Sequence, residues 1–327
     1  MILVTGASGY VGNNLVRRLV QMGKPVRAMV GNKDKAMQRL GDIEPHIEIV
    51  KGDVTRPETL AEWMGDVDTV IHLVAVAIEK GRRTYEAVNT QGTINVVDAA
   101  KKANVRRFLN MCQNGATAQT PYRFLRSKGI AQEYVAASGL DWTAFRPSVI
   151  WGPQDEFANV QARLVHLSPV IFPVVGDGLA RFQPVYVGDV VEAFVRSLDD
   201  RTTIGQEYEL GGPEVLTYTE IVKRVLKALH TRRTLVKIPV PVLRPVVVAM
   251  QTLLPNPPVS TTLLDLLAVP NVVKDNALIS KFGLMPKPFT PANLAYMRDF
   301  NTLTTLGKFF GRSVEESKVQ QDTQANS

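Results

Sequence analysis

Gly6, Gly9 and Gly12 stand at three-residue spacing in Thr5-Gly6-Ala7-Ser8-Gly9-Tyr10-Val11-Gly12. An apolar run, Ile2-Leu3-Val4, precedes them, and Leu15, Val16, Leu19 and Val20 follow at helical spacing. Between a strand and a helix, the first glycine permits a tight turn and the second lets backbone N–H groups approach a pyrophosphate. The third allows close helix–strand packing, with the helix N-terminus facing the anion. The pattern predicts dinucleotide contacts at Gly6, Ser8, Gly9, Tyr10, Val11 and Gly12. A carboxylate about 20 residues beyond such a loop would hold a ribose 2′-hydroxyl. Here the second apolar run ends at Met29-Val30-Gly31-Asn32-Lys33, with no acid at its end and with Lys33 and Lys35 able to pair with a 2′-phosphate. Asp34 lies a few residues late for the ribose role. The balance favours NADP(H), with NAD(H) as the alternative.

The elements that must position these residues follow from the apolar pattern. Ile2–Val4, Val26–Val30, Ile47–Val50, Thr69–Val74, Phe108–Cys112 and Trp142–Phe145 read as strands. Asn13–Met22, Pro57–Met64, Asn89–Lys102 and Ser127–Ser138 read as helices between them. The alternation predicts an α/β, Rossmann-type, doubly wound parallel sheet, its strands continuous apolar runs because helices cover both faces. Beyond Gly152-Pro153, frequent prolines break the chain into shorter elements. Pro184–Val187 and Glu207–Leu210 read as strands, Asp189–Leu198 and Tyr218–Leu229 as helices. The expected organisation is a core at 1–151, completed by 181–212, with a smaller C-terminal α/β lobe from 152–180 and 213–312. The polar, aperiodic residues 313–327 read as a disordered tail.

Composition narrows the function classes. The chain has 327 residues, a net charge of +7, one cysteine and four histidines. Cys112 alone excludes an internal disulfide, and so few sulfur and imidazole groups make no structural zinc site. The basic residues form small clusters without interleaved aromatics, so no nucleic-acid partner is expected. No apolar run reaches the roughly 20 residues of a membrane span. The longest, Val246 to Leu254, lies between Pro245 and Pro255 and reads as a packed or surface-docked helix. With no leader before the first strand, a cytoplasmic protein is expected.

Several further motifs, taken in order, give the chain a resemblance to the extended short-chain dehydrogenases/reductases. They are Gly52-Asp53-Val54, His72-Leu73-Val74-Ala75, Asn89-x-x-Gly92-Thr93-x-Asn95 and Arg146-Pro147-Ser148 leading to Gly152-Pro153. The second half, with Phe182-Gln183-Pro184-Val185-Tyr186-Val187-Gly188-Asp189-Val190 and Tyr208-Glu209-Leu210-Gly211-Gly212-Pro213-Glu214, is similar to one atypical, epimerase/dehydratase-like branch. That branch contains the NADPH-holding accessory subunit of respiratory complex I and its bacterial relatives. The resemblance implies that Asp53 and Val54 meet adenine and that Leu73, Val74 and Ala75 lie along the ribose. It places Pro147, Val149 and Ile150 against the nicotinamide. Where many atypical relatives carry Arg, this chain has Gly31.

The resemblance also implies a catalytic Tyr four residues before a Lys whose ammonium lowers the phenol's pKa for proton exchange. Lys128 is present, but Phe124 holds the Tyr position and has no ionisable group. Tyr122 is two residues from that position, which on a helix turns it about 200° away. The stretch that normally supplies a Ser or Thr reads Asn110-Met111-Cys112-Gln113-Asn114-Gly115, with no hydroxyl. Cys112 reads as a small core residue at a strand end rather than as a nucleophile. Lys128 remains the one catalytic candidate, and it also suits a binding role on the nicotinamide ribose.

Two functions are expected to compete. The first is a dinucleotide-binding protein with impaired turnover, a structural, sensory or assembly subunit of a membrane-associated redox complex, peripheral at the inner membrane face. The second is an NAD(P)H-dependent reductase, dehydrogenase or sugar-nucleotide epimerase that uses Lys128.

Overall fold

A computed structural model describes residues 1–267 and 269–310. The expected tail at 313–327 lies outside the described residues. In chain order the strands are β1 (Ile2–Thr5), β2 (Val26–Val30), β3 (Glu48–Lys51), β4 (Thr69–His72), β5 (Arg107–Met111) and β6 (Asp141–Pro147). There follow β7 (Ile150–Trp151), β8 (Ile171–Val175), β9 (Arg181–Phe182), β10 (Val185–Tyr186), β11 (Gln206–Leu210), β12 (Leu216–Thr217) and β13 (Thr234–Ile238). The α-helices are α1 (Tyr10–Gln21), α2 (Lys33–Leu40), α3 (Glu58–Ala61), α4 (Gly92–Lys102), α5 (Arg123–Ala136) and α6 (Ala158–Leu167). They continue as α7 (Val187–Asp199), α8 (Tyr218–Ala228), α9 (Val240–Leu253), α10 (Thr261–Leu267), α11 (Ala277–Ser280) and α12 (Thr302–Phe309).

Two compact units share these elements. The first comprises Met1–Pro147, Val187–Leu210 and Lys274–Leu284. Its seven strands form one parallel sheet in the order β11-β6-β5-β4-β1-β2-β3, flanked by helices, as the doubly wound pattern predicts. β1, β2 and β5 are buried throughout, because apolar runs covered on both faces have no solvent side to alternate towards. Leu3, Val70 and Phe108 from the sheet pack with Leu60, Val96, Val97 and Val135 from the helices. Arg107 is the charged residue of β5. Its guanidinium donates to the Asp141 and Ser197 carbonyls at 2.7 and 2.8 Å and to the Thr143 and Thr203 hydroxyls at 2.8 and 2.7 Å. A buried cation survives only with such a full set of acceptors.

The second unit comprises Ser148–Tyr186, Gly211–Val273 and the chain from Met285 on. α6 and α8 pack around Trp151, Phe172, Phe182, Tyr218 and Phe289. A capping box starts α8, with the Thr217 hydroxyl accepting from the Glu220 amide and the Glu220 carboxylate accepting from Thr217. β8 and β13 form a two-stranded parallel pair.

Four local expectations change. The helix expected at Asn89–Lys102 is a π-helical turn, Tyr85–Gln91, running into α4. The strand expected at Pro184–Val187 shortens to β10, because Val187 already opens α7. α2 is an added helix, and α5 begins at Arg123 with Tyr122 as its extended N-cap. The helical-face argument against Tyr122 therefore does not apply to it.

Candidate functional site

Six motif positions of the first unit stand at or just beyond the carboxyl ends of strands in one parallel sheet. Gly6 follows β1, Lys33 lies three residues beyond β2, Asp53 two beyond β3, Leu73 directly after β4 and Cys112 directly after β5, and Pro147 ends β6. All therefore share one edge. Strand order reverses beside β1, which has β4 on one side and β2 on the other, and such a switch point opens a crevice for a ligand.

The glycine loop is built for close approach. Gly6 adopts a left-handed φ of 74°, which side chains disfavour. A Cβ on Gly12 would lie 2.2 Å from the Gly6 carbonyl oxygen and 2.9 Å from Ala7 Cα. The Gly9 amide donates to the Gly6 carbonyl at 2.8 Å, and the Leu73 amide to the Thr5 carbonyl at 3.2 Å, tying the loop to the segment after β4. Gly9 is the N-cap of α1. No side chain caps this helix and no acid stands in its first turn, so its positive end is kept for an anion. The cradle fits a pyrophosphate.

Lys33 is exposed at the start of α2, whose N-cap Asn32 accepts from the Lys35 amide at 2.8 Å. α2 also brings in a cation that the sequence reading omits. The Arg39 guanidinium donates to the Ser8 carbonyl at 3.0 Å, which lays a positive charge on the glycine loop. Arg17 holds the Arg39 carbonyl and pairs with Asp42. No sequence signal marks Arg39, since its place on the loop depends on how α2 folds back.

The Asn89-Gly92-Thr93-Asn95 motif positions the loops at this edge. Asn89 accepts from the Val76 amide at 2.8 Å and donates to the Val76 carbonyl at 3.2 Å, fixing the chain just beyond Leu73–Ala75. Asn95 donates to the Val54 carbonyl at 2.8 Å. Asp53 accepts from the Thr55 amide and hydroxyl at 2.9 and 2.8 Å. Burial pushes the Asp53 carboxyl up, but these bonds, with Arg83 and Arg56 nearby, hold it below its ordinary value.

His72, at the end of β4, is fully buried and bonded at both nitrogens, to Thr5 Oγ1 at 2.8 Å and Thr93 Oγ1 at 3.0 Å. Because the Thr93 hydroxyl donates to the Asn89 carbonyl at 2.7 Å, it accepts from Nε2–H, and Nδ1 accepts from Thr5. Burial, with the Lys128 charge second, pulls the imidazole down to about 3, so it stays neutral.

Lys128 lies buried on α5, its Nζ donating to the Met111 carbonyl at 2.6 Å. Burial pulls the ammonium below its ordinary value. One turn earlier the Phe124 ring packs edge-on against Tyr85, with centroids 5.6 Å apart. The Tyr85 hydroxyl is committed to the Ala77 carbonyl at 2.9 Å. Cys112 is buried, its thiol 3.8 Å from the Lys128 carbonyl, and burial pushes its pKa up. It is a protonated core residue.

The first unit thus contains Gly6, Ser8, Gly9, Tyr10, Val11, Gly12, Lys33, Asp53, Val54, Leu73, Val74, Ala75, Lys128 and Pro147. Val149 and Ile150 belong to the second, where Ile150 pairs with Val185.

Comparison with known proteins places this geometry. A family model described as NAD(P)H-binding matches residues 6–164, and one for the NAD dependent epimerase/dehydratase family matches 119–211. The chain is 30% identical over 291 residues to the mitochondrial NADH dehydrogenase [ubiquinone] 1 alpha subcomplex subunit 9 of Arabidopsis thaliana, covering 84% of this chain and 71% of that one. It is 29% identical over 307 residues to a 3 beta-hydroxysteroid dehydrogenase/Delta 5-->4-isomerase of Mycobacterium tuberculosis, covering 84% and 82%. The UDP-glucose 4-epimerase of Thermotoga maritima superposes with a TM-score of 0.71 at 17% identity, covering 93% of this chain and 99% of that one. At that identity the likeness establishes the fold. The strand order, the glycine loop and these matches agree: the chain belongs to the NAD(P)-binding epimerase/dehydratase family.

Proposed function

We propose that this chain holds NADP(H) along the carboxyl edge of its sheet with little turnover, as a structural, sensory or assembly subunit of a membrane-associated redox complex. In this reading Gly6, Ser8, Gly9, Tyr10, Val11 and Gly12 bind the pyrophosphate, and Lys33 with Arg39 meets the 2′-phosphate. Asp53 and Val54 border adenine, Leu73, Val74 and Ala75 line the ribose, and Pro147 borders the nicotinamide. Lys128 spends one of its three N–H donors on Met111 and has two for the nicotinamide ribose. The bound nicotinamide would supply a hydride.

One observation carries the reading: a phenyl ring stands one turn before Lys128, packed against a tyrosine whose hydroxyl is already committed. Around it Cys112 is held protonated and His72 neutral. The mitochondrial NADH dehydrogenase subunits among the relatives support the complex. The test is purification with bound nucleotide, followed by incubation with hydroxysteroids, ketosteroids and nucleotide sugars. Retained, unoxidised NADPH is expected, with weaker retention of NADH that Lys33→Glu/Arg39→Glu levels. Steady oxidation or reduction of the bound nucleotide overturns the holder.

A second reading, a reductase, dehydrogenase or epimerase, is favoured by the burial of Lys128, which makes its ammonium a readier proton donor. The steroid dehydrogenase relative supports it too. It requires turnover that Lys128→Ala abolishes.

A further inference from the structure

The segment 221–264 carries seven Lys and Arg and no Asp or Glu. It accounts for the whole net charge, since the rest of the chain has 31 basic residues against 31 acidic. Arg224 pairs with Glu214, Arg244 with Asp265, and Arg233 donates to the Ser168 carbonyl. Lys223, Lys227, Arg232 and Lys237 are exposed, and none of them enters an ion pair among the described residues.

In the middle of this segment lies α9, apolar on two sides. Leu243, Val247 and Gln251 form its packed stripe, where Gln251 accepts from the Thr261 amide at 3.0 Å and α10 lies alongside. Val242, Val246, Ala249 and Leu253 fall within about 60° of one another on the other side. Val242, Val246 and Leu253 are 61%, 56% and 78% exposed. The strand feeding α9 continues this character, since Val236 on β13 and Ile171 on β8 are also exposed. An apolar stripe one helix wide, in a segment whose exposed Lys223, Lys227, Arg232 and Lys237 enter no ion pair among the described residues, matches the two requirements of interfacial helices. Anionic headgroups supply the complementary charge, and the acyl boundary takes the stripe.

We infer that the outward face of α9, with Lys237 three residues ahead of it and Lys223, Lys227 and Arg232 earlier in the same acid-free segment, docks on an anionic lipid bilayer. This surface belongs to the second unit and is independent of the dinucleotide reading. Each cation near an anionic surface adds attraction that salt screens within a Debye length.

The test mixes the full chain with vesicles of phosphatidylcholine alone or with about one quarter phosphatidylglycerol, and measures the pelleted fraction. Pelleting is expected with the anionic vesicles alone, and it should fade as salt rises. Val242→Asp/Leu253→Asp and, separately, Lys223→Glu/Lys227→Glu/Arg232→Glu should each lower it about tenfold. Melting temperature and NADPH retention should hold, because these side chains are exposed. Equal pelleting on neutral vesicles, pelleting on neither, or pelleting that both variants keep overturns the inference. So does self-association in ultracentrifugation that Val242→Asp/Leu253→Asp abolishes, since the stripe would then face a second copy. Loss of NADPH retention with vesicle binding intact would count against the dinucleotide reading alone.

Discussion

Gly12→Ala puts the glycine cradle under direct test. The new Cβ would stand 2.2 Å from the Gly6 carbonyl oxygen and 2.9 Å from both Ala7 Cα and the Ala7 carbonyl oxygen, all backbone atoms of one turn. No flexible side chain can move aside. An ordinary contact needs upwards of about 3.4 Å, so α1 must back away from the loop by roughly 1 Å. Overpacking of this kind costs about 1–3 kcal/mol, which for a unit of this size lowers the melting temperature by roughly 2–12 °C. The same retreat lengthens hydrogen bonds from the loop to a pyrophosphate. Loss of one charge-assisted bond, about 1.5–3 kcal/mol, weakens NADPH binding at least about tenfold. Differential scanning fluorimetry with and without NADPH reads the first effect, and titration calorimetry the second. Gly31→Ala is the control, since a Cβ there meets nothing within 4 Å. If Gly12→Ala keeps both the wild-type melting temperature and the wild-type affinity, the close-approach reasoning fails.

Three further outcomes are expected. Lys128→Met should leave the apo protein as stable or more so at neutral pH while weakening NADPH binding about tenfold, because burial disfavours the ammonium. With the folded pKa below the ordinary 10.5, the unfolded chain binds the extra proton, so wild-type stability should rise with pH towards 10.5; urea midpoints that Lys128→Met leaves with the same alkaline slope would count against this. Asp155 in the second unit is raised from 3.8 to about 6 by burial, against opposing bonds from the Asn159, Gly152 and Phe157 amides. Here the folded chain binds the extra proton, so a penalty of up to roughly 3 kcal/mol at neutral pH should fade as pH falls from 6 towards 4; comparison of urea midpoints with Asp155→Asn should show that slope removed. Asn89→Ala removes its bonds to both Val76 backbone groups and to Ser127, and should cost about 2–4 kcal/mol by chemical denaturation, with weaker NADPH binding.

Much of the first unit was legible because its central strands are mostly apolar, with single polar residues such as Arg27 in β2 set among them. Val26–Val30 matches β2 residue for residue, and Gly6 and Gly9 fall between β1 and α1, although α1 starts at Tyr10 rather than Asn13 and takes Gly12 into its first turn. α2 was not legible. Its eight residues, KDKAMQRL, are half charged, and only Ala36 and Leu40 are buried. With it went Arg39, whose place on the Ser8 carbonyl depends on how that helix folds back. The π-turn at Tyr85–Gln91 was equally hidden, since Asn89 and Thr90 reach Ser127 across 38 and 37 residues, and no local period records such bonds. Phe124 was visible as a missing phenol. The commitment of the neighbouring Tyr85 hydroxyl appears only in three dimensions.

The acceptors around Arg107 set an order of events during synthesis. Thr143 and the Asp141 carbonyl are made soon after Arg107, but Ser197 and Thr203 emerge some 90 residues later. The strand that covers β6, β11, arrives with them. A nascent chain that has reached Pro147 therefore presents a bare strand edge beside a half-solvated guanidinium, both of them liabilities in a compact state. Closure of this sheet waits for sequence on the far side of an excursion into another unit. A ribosome pause or a chaperone acting between residues 147 and 210 would thus meet that edge while it is still bare.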